Sequence, residues 1–360
     1  MGAARPSETT EDGETEEAAT DRNPPIGGGK TFMRIVAVSR ILDEVDIIEA
    51  FIRHSAAFVD HHIVLDNGSC DGTIEVLKSL AAEGLPLTVY RSPSICFSER
   101  DMNNWLYDQA VRQHDADWVA CLDGDEFYDE RGLPGGLRAT LAALENSREN
   151  VVAVRLPWAH YNYTRKDDAS ERIVPRRITH RAEVSKDYKV IVSWRLAKEK
   201  GLVVEGQHGV HLPPESTGKV VTEERAWIAH FSERNPAQYV TKFVRGWAKV
   251  LSAGEHARAQ GFNGHYRGPF ELLRDRPHKL LRSEAFLTRK NEGRNAVNDP
   301  MDYRGGPLRY TPPYDPEMQA VRALVGYLSA VTTRYGELLD AVPEARAHSE
   351  SIERRIDRLF

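Results

Sequence analysis

Three acidic side chains stand close together in the stretch DWVACLDGDEFYDE, residues 117–130. Asp123, Asp125 and Glu126 directly follow an apolar run. Carboxylates this close repel one another, and bringing them together costs free energy unless a cation shares the site. The stretch therefore predicts a positively charged group among these acids.

The chain from Met33 alternates between strand-type and helix-type apolar patterns. Asp43 stands where it would cap the first helix. Repeated strand–helix units build a mainly parallel sheet covered by helices on both faces. The predicted strands cover residues 33–39, 62–66, 87–92 and 118–123, and the predicted helices cover residues 43–58, 71–84 and 98–114.

Two acidic loops follow predicted strands. The second strand ends at Asp66 in LDNGSCDGT, and the fourth ends at Asp123 in LDGDEF. In parallel sheets ligands collect beyond the carboxyl ends of the strands, so both loops should open on the same edge. Either motif alone is also a good turn sequence. The pair favours a binding site at that edge.

Four motifs, in this order, resemble glycosyltransferase family 2. The matching branch carries DNGSxDGT and LDxDEF motifs on the nucleotide-sugar-binding GT-A fold. The resemblance covers residues 33–250 and implies an α/β fold with a mixed, mainly parallel sheet flanked by helices, and a C-terminal helical extension. The motifs are DEVDIIEAFIRH, HIVLDNGSCDGT, DWVACLDGDEF and IAHFSERNPAQYVTKFVRG.

The resemblance implies a metal site. Asp123 and Asp125 match the family's DxD acids, which hold a divalent cation that bridges the donor diphosphate. Carboxylate oxygens suit Mn²⁺ or Mg²⁺, and Gly124 lets the backbone approach closely. His230 matches a histidine that is a third metal ligand by resemblance. The alternative is a packed histidine at the end of a strand.

The resemblance also implies contacts to a nucleotide-sugar donor, most simply a UDP-sugar. Asp66 matches the acid that meets the nucleoside, and Glu44 matches an acid that lines the same pocket. This chain departs from the family just before Glu44, where Leu42 and Asp43 replace the usual Arg or Asn. Arg40 is the expected substitute.

Basic residues are expected to neutralise the donor diphosphate. By resemblance Arg234 and Lys242 are candidates, since they lie in and after the motif AHFSERNPAQY. Arg100, near the start of a predicted helix, is a further candidate, with a solvated surface charge as the alternative. Positive charge here stabilises the departing diphosphate.

Family 2 members invert the anomeric centre, so the resemblance implies one general base for the acceptor hydroxyl. Glu205 in VVEGQHGVH is the first candidate because it belongs to the predicted acceptor half. His208 and His211 share that stretch. Glu126 is the rival, although it could equally anchor the metal loop by accepting backbone hydrogen bonds.

Residues 151–230 are typical of β-structure and rich in aromatic side chains. Trp158, Tyr161 and Tyr163 are candidates to line an acceptor groove, because sugar rings present apolar C–H faces to aromatic rings. Core packing explains these three residues equally well.

Composition limits the partners and the compartment. A formal net charge of −6 argues against a nucleic-acid binder. No apolar run reaches the roughly 20 residues of a membrane span, and no signal-peptide pattern begins the chain. The three cysteines, Cys70, Cys96 and Cys121, show no metal-ligand spacing. We expect reduced thiols and a cytoplasmic protein without a transmembrane segment.

The sequence predicts four regions. Residues 1–31 are acidic and poor in bulky apolar groups, as in a disordered tail. Residues 32–250 form the GT-A domain, with a nucleotide half over residues 32–130 and an acceptor half over residues 131–250. Residues 251–315 form a partly irregular excursion. Residues 316–360 form helices that pack on the body or join a homo-oligomer.

The sequence therefore predicts a metal-dependent inverting glycosyltransferase that moves a sugar from a nucleotide-diphosphate donor to a glycan or other hydroxyl acceptor. Two alternatives stay open. A phosphohydrolase of the haloacid-dehalogenase type also uses Asp-x-Asp, although after its first strand rather than its fourth. A non-catalytic nucleotide-sugar-binding protein would keep the same donor-site acids.

Overall fold

A computed structural model describes residues 32–92, 99–147, 149–205, 208–252, 254, 264–278, 291 and 293–353. The chain divides into Met1–Phe32 and Met33–Phe360, and every described helix and strand lies in the second part. The predicted tail, residues 1–31, lies outside the described residues.

The strands follow the predicted order along the chain and continue beyond it. They are β1 (Ile35–Ile41), β2 (His61–Asp66), β3 (Leu87–Arg91), β4 (Trp118–Cys121), β5 (Glu126–Asp129), β6 (Val151–Asn162), β7 (His180–Arg181), β8 (Tyr188–Val192), β9 (Val203–Glu205), β10 (Gly209–His211), β11 (Lys219–Thr222), β12 (Trp227–Glu233) and β13 (Val297–Asn298).

The helices separate the early strands and close the chain. They are α1 (Ile48–Ser55), α2 (Thr73–Ala82), α3 (Glu99–His114), α4 (Gly136–Glu145), α5 (Val174–Arg177), α6 (Trp194–Glu199), α7 (Pro236–Ser252), a 3₁₀ turn (Gly264–Tyr266), α8 (Arg267–Asp275), α9 (Pro316–Ala341) and α10 (Pro343–Glu353).

The larger sheet runs in the order β13-β7-β6-β8-β4-β1-β2-β3. Strands β4, β1, β2 and β3 pair in parallel, whereas β8 pairs antiparallel with both β4 and β6. Strands β11 and β12 add to β6 in parallel, and β5 pairs antiparallel with β12. The predicted α/β architecture, a mixed sheet flanked by helices with a parallel N-terminal part and a C-terminal helical extension, is confirmed.

Helices cover both faces of the parallel part. Side chains of β1 alternate between two apolar clusters, as the period of two in a strand requires. Ile35 and Ala37 join Phe51 of α1 in one cluster, whereas Val36 and Val38 join the other, which includes α3 side chains. Burial on both faces leaves only the strand ends and loops to meet a ligand.

Asp43 does not cap α1, and that prediction is wrong. The helix begins at Ile48 without a side-chain cap. The backbone of Asp43 adopts φ 53°, and its carboxylate accepts the backbone N–H of Cys70 at 2.6 Å and pairs with Arg245. The carboxylate turns away from α1 because α7 supplies a guanidinium for it.

The C-terminal region is helical. Helix α9 packs against α7, and α10 packs back on α9, where the Tyr335 and Ser349 hydroxyl groups lie 2.5 Å apart. None of the described helices is both long and apolar enough to cross a membrane. Cys70 and Cys121 are free thiols, and Cys96 lies outside the described residues.

Candidate active site at the sheet edge

A cavity of about 580 Å³ opens where β1, β2 and β4 end. Helix α7 and the 3₁₀ turn form its opposite wall, and β6 and β12 contribute its far side. Its position is the one where open α/β sheets bind ligands. The lining residues discussed below are Arg40, Glu44, Asn67, Asp123, Gly124, Asp125, Trp158, His208, His230, Lys242, Arg245, Lys249 and Tyr266.

The loop after β4 is held in place by Lys189 of β8. The Lys189 ammonium donates to Asp123 Oδ2 at 2.8 Å and lies 3.3 Å from Glu126 Oε2. Glu126 is fully buried, and its Oε2 accepts the Asp123 backbone N–H at 2.9 Å. A Cβ on Gly124 would lie 2.7 Å from Ile41 Cδ1, so this loop packs closely against the end of β1. Glu126 thus has the contacts of a loop anchor.

Burial and charge act oppositely on these two acids. Burial alone would raise the pKa of Asp123, but Lys189 and Arg40 outweigh it and lower that pKa. Burial raises the pKa of Glu126 to about 8, despite the opposing charge of Lys189. Asp123 therefore presents a carboxylate to the cavity, whereas Glu126 does not line it.

Asp125 is the buried acid at the centre of the site, with a side chain 5% exposed. Lys242 Nζ lies 2.9 Å from its Oδ2, and His230 Nε2 lies 3.5 Å from its Oδ1. Burial favours the neutral acid, but Lys242 and His230 outweigh it and hold the pKa of Asp125 well below its usual range. Asp125 is therefore an anion at neutral pH.

The His230 ring borders both Asp125 and the aromatic wall. On the adjacent strand its Cα partner is Glu126, and its ring centroid lies 4.7 Å from that of Trp158. The buried Nδ1 atom has no hydrogen-bond partner among the residues that the structure describes. An orphaned imidazole nitrogen beside a carboxylate is typical of a group that binds something further.

The donor atoms fit a divalent cation held by few protein side chains. No group of three His, Cys, Asp or Glu side chains with metal-binding geometry occurs among the described residues. Asp125 and His230 nevertheless offer one carboxylate and one imidazole side by side at the cavity, and Asp123 lines the same space. Mg²⁺ is commonly bound by one or two carboxylates, with substrate phosphates and waters as the other ligands. The arrangement suits such an open site.

Arg234 lies behind the acids rather than in the cavity. Its fully buried guanidinium donates to Asp46 at 2.7 and 2.9 Å and to Glu44 Oε2 at 2.5 Å. Its Nη1 atom is 3.7 Å from Asp125 Oδ2. Burial raises the pKa of Glu44 to about 7, against the attraction of Arg234. Arg234 thus holds Glu44, Asp46 and Asp125 in place from the protein interior. Of these three acids, Glu44 and Asp125 line the cavity.

Asn67 and Lys249 form the end of the cavity next to β2. Lys249 Nζ lies 2.5 Å from Asn67 Oδ1, and Arg40 lines the same end. Burial, together with Arg245 and Arg40, lowers the pKa of Lys249 to about 7. Asp66 is fully buried and accepts backbone N–H groups of residues 68 and 69, so its carboxylate is not among the lining groups.

The other predicted site residues either lie away from the cavity or have side chains outside the part of the chain that the structure describes. Arg100 is exposed on α3 and does not line it. The backbone of Glu205 pairs with Gly209 in the β9–β10 hairpin, but its side chain lies outside the described parts. Tyr161 and Tyr163 are buried, and the Tyr161 hydroxyl donates to Asp299 O at 2.8 Å. These two tyrosines pack in the core.

Sequence reasoning missed four lining or supporting residues. Arg245 and Lys249 follow Lys242 by three and seven positions, and this spacing on one helix face was a readable signal. Lys189 is a lysine inside the apolar run YKVIV, and a buried lysine normally has a charged partner. Tyr266, on the 3₁₀ turn, gave no such signal.

A comparison with solved structures finds, among others, a mannosyltransferase from Pyrobaculum calidifontis in complex with GDP-Man and Mn²⁺. It is 16% identical, with a TM-score of 0.33, over 83% of this chain and 88% of that one. Glucosyl-3-phosphoglycerate synthase from Mycobacterium tuberculosis, with Mn²⁺ and UDP, is 20% identical, with a TM-score of 0.25, over 35% of this chain and 44% of that one. A comparison with curated protein sequences found no match. These likenesses assign no substrate to the chain.

The family comparison covers the strands and loops that build the site. The model of the family described as Glycosyl transferase family 2 matches residues 43–195. That segment includes both acidic loops, at Asp66 and Asp123, and the supporting Lys189. The match over residues 43–195 agrees with the resemblance to family 2 that the motifs predicted.

Proposed function

We propose that this protein is a metal-dependent, inverting glycosyltransferase that transfers a sugar from a nucleotide-diphosphate donor to a hydroxyl acceptor. The observation that carries the proposal is the convergence of Asp123, Asp125, His230 and Lys242 on one cavity at the sheet edge. Its volume of about 580 Å³ lies in the range of small-molecule sites. The family 2 domain over residues 43–195 supports the same reaction class.

Asp125 and His230 would hold Mn²⁺ or Mg²⁺, with Asp123 beside them. A bound cation would draw off negative charge as the nucleoside diphosphate departs. Lys242 lies against Asp125 and lines the cavity, so its ammonium is available to the same diphosphate. Arg234 supports this group by fixing Glu44 and Asp46 rather than by touching the donor.

The nucleoside is proposed to occupy the end of the cavity lined by Arg40, Asn67 and Lys249. This end lies beyond β1 and β2, and Glu44 borders it. Asp66 holds the loop that presents Asn67 through its hydrogen bonds to backbone N–H groups. A UDP-sugar is the proposed donor, on the family resemblance.

The acceptor is proposed to bind on the opposite side, next to Trp158 and His208. The ring centroids of these two residues are 4.7 Å apart, and both residues line the cavity. Trp158 offers an aromatic face for the apolar C–H side of a sugar ring. The acceptor hydroxyl would then lie between this wall and the metal site.

His208 is the described side chain best suited to accept the acceptor proton. Its Nδ1–H donates to the Tyr188 carbonyl at 3.0 Å, which leaves Nε2 with its lone pair. His208 is exposed, but the protein around its ring and the nearby Lys189 still lower its pKa below the usual value, so the ring is neutral at neutral pH. A single base on the acceptor side is the requirement of an inverting displacement. Glu205, three residues earlier, remains the alternative base.

The test is product release from a panel of UDP- and GDP-sugars, with Mn²⁺ and with the metal removed by chelation. Hydroxyl acceptors such as simple glycosides are included. The proposed reaction releases UDP or GDP only in the presence of metal, and the Asp125→Asn variant loses that release. Asp302→Asn, which changes an exposed acid paired with Arg304, is the matched control and retains activity.

The same assay separates the alternatives. Release of inorganic phosphate instead of nucleoside diphosphate would contradict glycosyl transfer and favour a phosphohydrolase. Metal-dependent nucleotide binding without any product across the panel would favour a non-catalytic binding protein.

A further inference from the structure

Tyr266 lies on the wall of the cavity that α7 and the 3₁₀ turn form, opposite the acidic loop after β4. It is the last residue of the turn Gly264–Tyr266, and this turn packs against α7. The neighbouring His265, together with Phe243 and Gly246 of α7, lines the cavity beside it. The turn thus brings a tyrosine to a wall that otherwise presents mainly cations.

The face of the Tyr266 ring lies directly on Gly246. A Cβ at position 246 would lie 2.7, 2.7 and 2.8 Å from Cδ1, Cγ and Cδ2 of the ring. Phe243 meets the ring edge-on, with centroids 5.7 Å apart, and the His265 ring lies 4.0 Å away. The three closest atoms belong to the base of the ring, so they cannot move aside unless the turn moves with them. Glycine at position 246 therefore sets the position of the tyrosine.

The charges around the Tyr266 hydroxyl show which part of the cavity it faces. Burial raises the pKa of Tyr266, and the strongest charges acting on it are those of Lys242, which lowers this pKa, and of Asp123 and Asp125, which raise it. The phenol therefore keeps its proton at neutral pH and can donate it in a hydrogen bond.

The position of Gly246 on α7 leaves two places that a tyrosine lying on it can reach. Gly246 is four residues after Lys242 and three residues before Lys249, so it lies between the proposed diphosphate and nucleoside ends of the cavity. Because the hydroxyl is close to Lys242 and the acidic loop, it faces the diphosphate end.

We propose that Tyr266 is a donor-binding residue, whose hydroxyl donates a hydrogen bond to the donor diphosphate beside Lys242, and that Gly246 positions its ring for this contact. The inference rests on the proposed function, because it requires a diphosphate next to Asp125. A hydrogen bond to a charged oxygen is stronger than one between neutral groups. The phenol would provide this contact without adding a charge to those of Lys242 and the cation.

The experiment is calorimetric titration of UDP and GDP in the presence of Mn²⁺, with the full chain and with single variants. For the nucleotide that binds, Tyr266→Phe should raise the Kd about 10-fold, because it removes only the hydroxyl. The matched control is Tyr335→Phe, which removes a hydroxyl that lies against Ser349 on α10, away from the lining residues. This control should leave the Kd unchanged.

Replacing the glycine tests how the ring is positioned. Gly246→Ala should also raise the Kd about 10-fold, because the added methyl group displaces the ring. The matched control is Gly336→Ala, within α9, where a Cβ would meet nothing within 4 Å. Both replacements favour the helix, so a loss caused by Gly246→Ala alone does not reflect a weakened helix. The double variant Gly246→Ala/Tyr266→Phe should bind no more than about 3-fold more weakly than Tyr266→Phe, because both changes remove the same contact.

Each result supports or overturns a stated part of the inference. Binding that Asp125→Asn abolishes and Tyr266→Phe leaves unchanged would overturn the role of Tyr266 and leave the proposed function standing. Losses that add in the double variant would overturn the role of Gly246. A wild-type chain that binds neither UDP nor GDP with Mn²⁺ would overturn the proposed function and this inference with it.

Discussion

The ammonium of Lys242 lies 2.9 Å from Asp125 Oδ2, although the two residues are 117 positions apart in the chain. The contact joins the loop after β4 to α7, on opposite sides of the cavity. Lys242 therefore has two possible partners in the proposed reaction, the Asp125 carboxylate and the donor diphosphate. A divalent cation on Asp125 would release Lys242 to the diphosphate.

Replacing Lys242 should separate these two roles. Lys242→Gln is expected to weaken binding of UDP in the presence of Mn²⁺ by about 10- to 100-fold, because one charge-assisted hydrogen bond is lost. Binding of Mn²⁺ alone should not weaken, since the lysine no longer competes for Asp125. Calorimetric titration measures both quantities.

The matched control for Lys242 is Lys219→Gln, which removes an exposed lysine paired with Glu149 far from the lining residues. It should change neither titration. A Lys242→Gln variant with weaker Mn²⁺ binding and unchanged UDP binding would contradict the proposed role.

The proposed general base makes a kinetic prediction. His208→Gln should lower kcat by about 10²- to 10⁴-fold, the usual contribution of a base, and should leave the Kd for UDP unchanged. His211→Gln is the control, because His211 lies in the same hairpin but does not line the cavity. If His208→Gln keeps its activity and Glu205→Gln loses it, the base is Glu205 instead.

The buried Arg234 makes a prediction about stability. Arg234→Gln would leave Asp46 and Glu44 buried without their guanidinium partner, and we expect the free energy of unfolding to fall by about 3–5 kcal/mol. Urea denaturation followed by fluorescence measures the change. Arg225→Gln, which removes a surface partner of Glu223, should leave stability nearly unchanged. A stable Arg234→Gln variant with weakened UDP binding would show that Arg234 meets the donor after all.

His54 predicts a pH dependence of stability. Its Nε2–H donates to Tyr128 O at 2.9 Å, and its Nδ1 accepts the Arg304 backbone N–H at 3.0 Å, so the neutral ring is fully hydrogen-bonded. Burial lowers the pKa of His54 from 6.5 to about 4. Between these values the unfolded chain takes up a proton that the folded chain excludes. The stabilisation is therefore complete above pH 6.5 and is lost as the pH falls towards 4.

For His54 alone, the free energy of unfolding should fall by about 2 kcal/mol between pH 7 and pH 5. Denaturation at these two pH values measures the effect. In the His54→Gln variant the fall in the free energy of unfolding from pH 7 to pH 5 should be smaller than in the wild type by about this amount. His348→Gln, at an exposed site, should keep the full wild-type drop. Equal pH dependence in wild type and His54→Gln would contradict the assignment.

The parallel half of the sheet could be predicted from the sequence because its signals are local. Apolar runs, helix spacing and the acidic loops at Asp66 and Asp123 all lie within short stretches. The rule that parallel strands end on one edge then brought the loops together, and the cavity formed by Asp123, Asp125 and His230 agrees with that expectation.

The rest of the fold and of the candidate site depends on contacts between residues that are far apart in the sequence. Arg234 and Lys242 looked equivalent in the sequence, but the chain buries Arg234 against Asp46 and leaves Lys242 at the cavity. Asp43 was expected to cap a helix next to it and instead pairs with Arg245, about 200 residues later. Local propensity carries no information about such partners.

The most direct test of the central claim is calorimetric titration of UDP and GDP into the protein, with Mn²⁺ present and with Mn²⁺ omitted. The proposal predicts binding of one nucleotide that requires the metal, is abolished by Asp125→Asn and persists in Asp302→Asn. Metal-independent binding, or equal binding by Asp125→Asn, would contradict a donor site built on Asp125.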